Sequence, residues 1–384
     1  MSARALLALC LVLLPGPARS QDAAEARREA GLPFMRVFTP KEYGAQSQNW
    51  AIVQDPRGVI YVGNNDGVLE FDGVRWRLIR VTNGAFVRSL AVDASGRVWV
   101  GAFGEVGYLE PDALGQMRYV SVLERVPAEA RDFADVWNTF PTAQGVYFAS
   151  YRRLLRLQGD RVQVWTPETS FHRSHLVGDR LLVFEVGRGL LELVQGELRL
   201  VTGTEILAED KVYVMIPWDG AILVDARKHG LLLLERESLR PFPTEADAEL
   251  RRGLIHKAAL LADGRLAVGT LAGGLYLLDH GGRCLGHLDR ARGLPDDKVL
   301  AVSTDREGGL WLGLDRGIAR VQVGSSLTRF DLTHGFFSTS PILVRYNDGR
   351  PFASKKQSRG SPNPRRRSGD NHYPVRKALH NKSR

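Results

Sequence analysis

One motif recurs along this chain at nearly constant intervals, and such a recurrence restricts the fold to an array of like supersecondary units. Each copy has a tight turn with Asp and Gly and an apolar strand ending in Gly. A short polar loop and a second apolar strand follow. Four copies are plain: DPRGVIYVGNNDGVLEF (55–71), DASGRVWVGAFGEVGYLEP (93–111), LADGRLAVGTLAGGLYLLD (261–279) and DREGGLWLGLDRGIARVQV (305–323). In all four the turn glycine (Gly58, Gly96, Gly264, Gly308) stands five residues before the strand-end glycine (Gly63, Gly101, Gly269, Gly313). Three weaker copies, QGVYFASYRRLLRL, GDRLLVFEVGRGLLEL and DGAILVDARKHGLLLL, place Ala149, Glu185 and Asp225 at that anchor.

The seven anchors lie 36 to 48 residues apart, about 42 on average. That period, filled by four short strands per unit, is the length of a propeller blade. Apolar and β-branched residues alternate or run together over four to seven positions between Gly, Asp and Asn turns. No stretch of twelve or more residues after Pro33 carries a helical stripe. The expectation is an all-β, seven-bladed β-propeller of four-stranded antiparallel blades over residues 34–330. Trp99 and Trp311 share the repeat position of Tyr61 and are expected to pack between blades. Two segments compete for the outer strand of the last blade, Phe34–Phe38 and Ser326–Phe330; the N-terminal one is favoured because it joins the two ends of the ring.

With 384 residues, 44% hydrophobic and 25% charged, the chain has enough apolar sequence for a large core and is not a disordered protein. Its net charge of +9 would point to a nucleic-acid partner if it were spread over the fold. It is not: residues 354–384 hold ten Lys/Arg and one acid, and residues 21–353 carry about −2. No nucleic-acid partner is therefore expected, and residues 354–384 read as a disordered, solvated basic tail. Residues 331–353 read as the start of a further repeat that is never finished, which suggests a shifted reading frame or a truncated gene.

Residues 1–20 have a short basic start, an apolar run from Ala5 to Leu14, a Pro-Gly-Pro break, and Ala18 and Ser20 before Gln21. That is the pattern of a cleavable secretory signal, and the run is too short for a membrane span. Cleavage removes Cys10 and leaves Cys284, so no internal disulfide is expected; Cys284 reads as a strand residue. The chain is expected to be exported to the periplasm, with no membrane span after cleavage.

The motif Asp-x-x-Gly-x-[apolar]-[Trp/Tyr]-[apolar]-Gly followed by Gly-[Ile/Val/Leu], clearest over Asp305–Ile318, resembles the two-component-regulator propeller family. That family comprises the periplasmic sensor regions of hybrid histidine kinases and related receptors. PFMRVFTPKEYGAQSQNWAIVQDPRGVIYVGNNDGVLEFDG and GLPDDKVLAVSTDREGGLWLGLDRGIARV are similar to members whose propellers lead into a triple-tyrosine β-domain. The resemblance covers Pro33 to about Gly349 and implies a ligand-sensing module of a signal-transduction receptor. Full-length relatives continue through more blades, a β-sandwich, a membrane helix and an output domain. None of these is seen in this sequence, so the chain reads as a truncated sensing part that works with other receptor subunits.

In a propeller, the loops between second and third strands and those entering each inner strand gather on one face around the channel. Reading those positions gives Asn64, Asn65, Asp66, Arg88, Phe103, Glu105, Trp137, Tyr151, Arg152, Arg173, Arg188, Arg227, Lys257, Asp315 and Arg316 as ligand-binding candidates. Seven bases among them face three acids. Guanidinium forks suit carboxylate or sulfate, and the rings suit sugar faces, so a small-molecule or glycan ligand is expected, concretely an anionic oligosaccharide. The plainer alternative for most of these charges is solvation on loops.

Enzymatic signals are poor, and no catalytic residue, metal site or cofactor is called for. His172 and His175, three apart in a strand, would point opposite ways. Asn64-Asn65-Asp66 could offer oxygen ligands to calcium, but turn chemistry is the usual explanation of such a loop. A propeller lyase or lactonase and a protein-binding scaffold remain the alternatives.

Overall fold

The computed structural model describes residues 32–323, 327–330 and 342–345, and shows seven four-stranded antiparallel sheets in chain order. Their inner strands are Asn49–Gln54, Val87–Val92, Val136–Thr142, Phe171–Val177, Val212–Trp218, Ile255–Leu260 and Val299–Thr304. These begin blades 1 to 7. In blades 1 to 6 the next three strands follow in sequence; blade 1 continues through Ile60–Asn64, Gly67–Phe71 and Trp76–Ile79.

Blade 7 supplies only Val299–Thr304, Leu310–Leu314 and Ile318–Val321. Its outer strand is the N-terminal Met35–Phe38, paired antiparallel from Met35 opposite Val321 to Phe38 opposite Ile318. The strand Leu327–Phe330 does not take that place; it pairs with Leu32–Pro33 and with Ile342–Arg345 in a separate three-stranded sheet. The stretch 331–353, expected to start a further blade, therefore contributes one described strand to that small sheet. The expected signal peptide (1–20) and basic tail (354–384) lie outside the described residues.

The repeat motif has a direct physical basis. In three of the four plain copies the Asp carboxylate accepts the backbone N–H groups of its own turn and reaches the aromatic of the following strand, directly or through Arg57; the fourth has Leu261 and Ala267 at these positions. Asp93 accepts from the amides of Ser95 and Arg97 and from Trp99 Nε1 at 2.8 Å. Asp305 accepts from the Gly309 amide and from Trp311 Nε1, also at 2.8 Å. In blade 1 the link runs from Asp55 through Arg57 to the Tyr61 hydroxyl. Each Asp thus fixes the turn and sets the ring that packs against the next blade.

The apolar core is divided into seven clusters, one at each junction between neighbouring blades. Trp99 meets Phe148 of blade 3, and Trp311 stacks on Phe38 at 5.7 Å and meets Phe71 of blade 1, as expected for inter-blade packing. The anchor glycines are explained by the same junctions. A side chain built on Gly101 would sit 2.4 Å from Ser89 Oγ and 2.5 Å from Val136 Cγ1, where blade 3 crosses. One built on Gly313 would sit 2.5 Å from the Asn49 carbonyl of blade 1.

Register corrects one anchor. Asp225 opposes Leu231 and Phe184 opposes Leu190, as Gly63 opposes Val68, so the blade-4 anchor is Phe184 rather than Glu185. Only two short α-helices are described, Pro40–Tyr43 and Asp247–Gly253, and none is long and apolar enough to cross a membrane. Cys284 is a buried strand residue, as read from the sequence.

Two substitutions test this account. Phe38→Ala removes the ring at the closing junction and is expected to cost about 3–5 kcal/mol in a denaturant titration; a loss under 1 kcal/mol would mean the N-terminal strand does not hold the ring. Gly101→Ala is expected to cost about 1–3 kcal/mol by overpacking against Val136; a neutral effect would remove the close-approach explanation.

Candidate functional site

Each inner strand enters its sheet through a register slip near its first residue. The residues displaced there are Trp50, Arg88, Trp137, His172 and Arg173, Tyr213 and Val214, His256, and Leu300. They form a ring at the entry end of the channel. Backbone bonds bring the loops between second and third strands to the same end: Phe103 N to Phe86 O, Val186 N to Ser170 O, Arg227 N to Lys211 O and Asp315 N to Lys298 O. The two loop sets read from the sequence therefore do share one face.

Cations and aromatic faces alternate around much of this ring. Arg88 lies 4.2 Å from the Trp50 ring and 5.4 Å from Trp137. Arg173 lies 4.3 Å from the Trp137 ring and 5.8 Å from the Tyr213 ring, and Arg227 lies 4.5 Å from the Tyr213 ring. Tyr151 stacks on both Trp137 and His172, and His172 meets Tyr213 edge-on at 4.8 Å. Cation–π contacts of this kind strengthen as water is excluded.

The charges are not evenly balanced. Arg88 is paired: its Nε is 2.6 Å from Asp135, and its Nη1 donates to Asn65 Oδ1, which also accepts from Trp50 Nε1. Arg173 is only 4% exposed and makes no ion pair or hydrogen bond among the described residues. Lys257, half-buried on blade 6, likewise has no such partner there. Burial, followed by the neighbouring Arg173, pulls the Lys257 ammonium down to about 7. Burial and nearby cations hold His172 at about 4 and His175 at about 3, and push His256 well below its ordinary value. An isolated buried cation is costly, so neutralisation and the lack of acids go together.

Three buried nitrogens in this neighbourhood have no hydrogen-bond partner: Trp137 Nε1, His175 Nε2 and His256 Nδ1. Asp225, at the blade-5 anchor, has an unpartnered Oδ2, and burial raises its carboxyl to about 7. Most buried polar groups in proteins are satisfied, so this clustering makes the entry ring the candidate site.

Among the sequence candidates, Arg88, Trp137, Tyr151, Arg173, Arg227 and Lys257 come together here. Asn65 joins them as the link between Trp50 and Arg88. Asn64 is fully buried, and its amide donates to Gln46 O, Gln48 O and Asn49 Oδ1, which fastens the loop. Asp66 accepts from the Gln46 amide, and buried Glu105 accepts from Tyr119 and Ser121. Arg188 is paired with Glu185 and Glu168, and Asp315 with Lys298 and Gln48. Phe103 is half-exposed at the rim, and Arg152 and Arg316 are exposed there, near Asp132 and Asp296.

Sequence reasoning missed Trp50, Asp135, Tyr213 and His256 as channel residues. A signal existed: Trp50, Arg88 and His256 stand thirteen residues before Gly63, Gly101 and Gly269, and Tyr213 twelve before Asp225. The alternation argument for His172 and His175 also fails locally, because the slip between Phe171 and Ser174 interrupts strand parity. No group of three or more His, Cys, Asp or Glu suited to a metal occurs among the described residues. A cavity of about 500 Å³ lies elsewhere, beside the closing strand and lined by Arg36, Phe38, Trp311 and Arg320.

The neutral imidazoles give a pH prediction. Free histidine titrates near 6.5. Below that pH the unfolded chain takes up protons that the folded chain refuses, so folding stability falls on acidification. In urea unfolding at pH 7 and pH 5 each such histidine is expected to contribute a loss of about 2 kcal/mol, opposed in part by Asp225, whose raised carboxyl is protonated in the folded chain over that range, and His256→Gln is expected to lose less. Equal losses in both proteins would contradict the burial of a neutral His256.

No family model matches the sequence, and no curated protein matches it. Solved structures do. The extracellular domain of a one-component system from B. thetaiotaomicron aligns with a TM-score of 0.59 at 17% identity, covering 79% of this chain and 42% of that one. The extracellular domain of a hybrid two-component system from the same organism gives 0.59 at 15%, covering 78% and 43%. A streptogramin B lyase gives 0.57 at 14%, covering 75% and 96%. This chain thus spans about two fifths of the length of the two extracellular domains and nearly all of the lyase. At these identities the likeness establishes the fold, a propeller shared by extracellular domains of bacterial one- and two-component systems and by lyases.

Proposed function

We propose that this chain is the ligand-sensing propeller of a bacterial signal-transduction receptor of the two-component-regulator propeller group. It is exported through residues 1–20 to the periplasm and takes an anionic small ligand, concretely an acidic oligosaccharide, at the channel entry. The observation that carries the ligand class is the buried Arg173, whose guanidinium has no ion-pair partner among the described residues and is flanked by Trp137 and Tyr213. The family reading is supported by the motif of Asp305–Ile318 and by the two extracellular domains of similar fold. On this reading the output domain and membrane helix belong to other parts of a longer receptor or to partner subunits, and the chain carries no catalysis of its own.

The lyase reading is disfavoured by the channel chemistry. Imidazoles whose protons are driven off by burial and neighbouring cations are weak bases, suited to donating or accepting a hydrogen bond rather than to abstracting a proton. Calorimetric titration of the full chain with acidic and neutral glycan fragments tests the proposal. Binding of uronate-containing fragments, lost in Arg173→Met, is expected; binding confined to neutral sugars, or turnover of the fragments, would overturn it.

A further inference from the structure

We propose that Arg173 and Lys257 form the seat for one oxyanion group, a carboxylate or a sulfate, and that a proton enters the site with that anion. This rests on the ligand class just proposed and narrows it to one place and one linkage. Arg173 supplies a permanent charge, held rigidly between the faces of Trp137 and Tyr213. Lys257 supplies a charge that depends on what is bound. Without an anion, desolvation and the Arg173 charge favour the neutral amine. An anion beside it reverses the balance, so the bound complex holds a proton that the free protein has half lost near pH 7 and largely lost above it. The orphaned Trp137 Nε1 is a donor with no acceptor, and His175 Nε2 and His256 Nδ1 can each serve as donors in one tautomer.

The groups that act on Lys257 bring it no acid. Arg173 and His175 lie near it from blade 4 and His256 on its own strand, while Arg227 of blade 5 lies over the Tyr213 ring. On blade 7 the neighbouring inner-strand residue is Leu300, and the acid at that mouth, Asp315, is taken by Lys298. The acid nearest to Arg173, Asp135, is bound by Arg88. The rim arginines are different: Arg188 has its own carboxylates, so an anion there would displace an existing ion pair.

Intrinsic tryptophan fluorescence of the full chain, titrated with sodium sulfate and separately with sodium acetate at pH 6.0, 7.0 and 8.5 under constant ionic strength, reads this directly. The wild type is expected to give saturable curves for at least one anion, with affinity falling about tenfold or more from pH 6.0 to 8.5 as the amine near 7 loses its proton. Lys257→Arg keeps a permanent charge and is expected to bind at pH 8.5 as it does at pH 6.0. Arg173→Met is expected to lose saturation while keeping its circular dichroism. Saturable binding with the same affinity at all three pH values in the wild type, an Arg173→Met protein that titrates normally, or no saturable response to either anion would overturn the proposal. Because bare anions are used, failure here is distinct from failure of the glycan titration, which bears on the sensing reading.

Discussion

Closure of the ring is the constraint on which everything else rests. Six blades are built from consecutive strands, but the seventh is completed by Met35–Phe38, some three hundred residues away in sequence from Ile318–Val321. Phe38 then stacks on Trp311 and meets Phe71 and Trp76, joining blade 7 to blade 1 through a single aromatic cluster. Such long-range pairing carries a loop-closure cost that the buried junction offsets. One backbone and one side-chain hydrogen bond carry the same clasp to the entry face, where Gly317 N donates to Ser47 O and Asn49 Nδ2 donates to Gly317 O.

Once closed, the ring imposes its geometry on the channel. The entry of each inner strand is brought against its neighbours by the inter-blade clusters, so from blade 1 to blade 6 the displaced residues of neighbouring blades meet. Trp50 meets Trp137 across Arg88, and Trp137 meets Tyr213 across Arg173. The aromatic faces hold Arg173 without a carboxylate partner, whereas Arg88 is also paired with Asp135. Cations held in this way keep their capacity for an anion, which they would lose in ion pairs.

The repeat was legible because the chemistry that makes a blade is local. An Asp that binds its own turn and the ring six residues later leaves a fixed trace, as Asp93 with Trp99 and Asp305 with Trp311. The anchor glycines were legible for a related reason, since each marks the crossing of the next blade. Blade 4 was misread by one residue because its anchor is Phe184, and the neighbouring Glu185 is buried and polar for a separate purpose, accepting the amides of Glu168 and Thr169. The channel was only partly legible. Arg88, Trp137, Arg173 and Lys257 were found from loop position, but whether a charge is paired depends on residues far away in sequence. Asp135 answers Arg88 across 47 positions, whereas Asp66, Glu105 and Asp315, counted as counter-charges from their positions, are engaged elsewhere.

The central claim is that a small anion belongs in the channel wall, on Arg173 and Lys257. Anomalous diffraction from a crystal of the protein soaked in selenate at pH 6.5 measures this most directly. The account predicts the strongest selenium peak within hydrogen-bonding range of the Arg173 guanidinium and Lys257 Nζ. Selenate found only on exposed rim arginines such as Arg152 and Arg316, with Arg173 left bare, would contradict it.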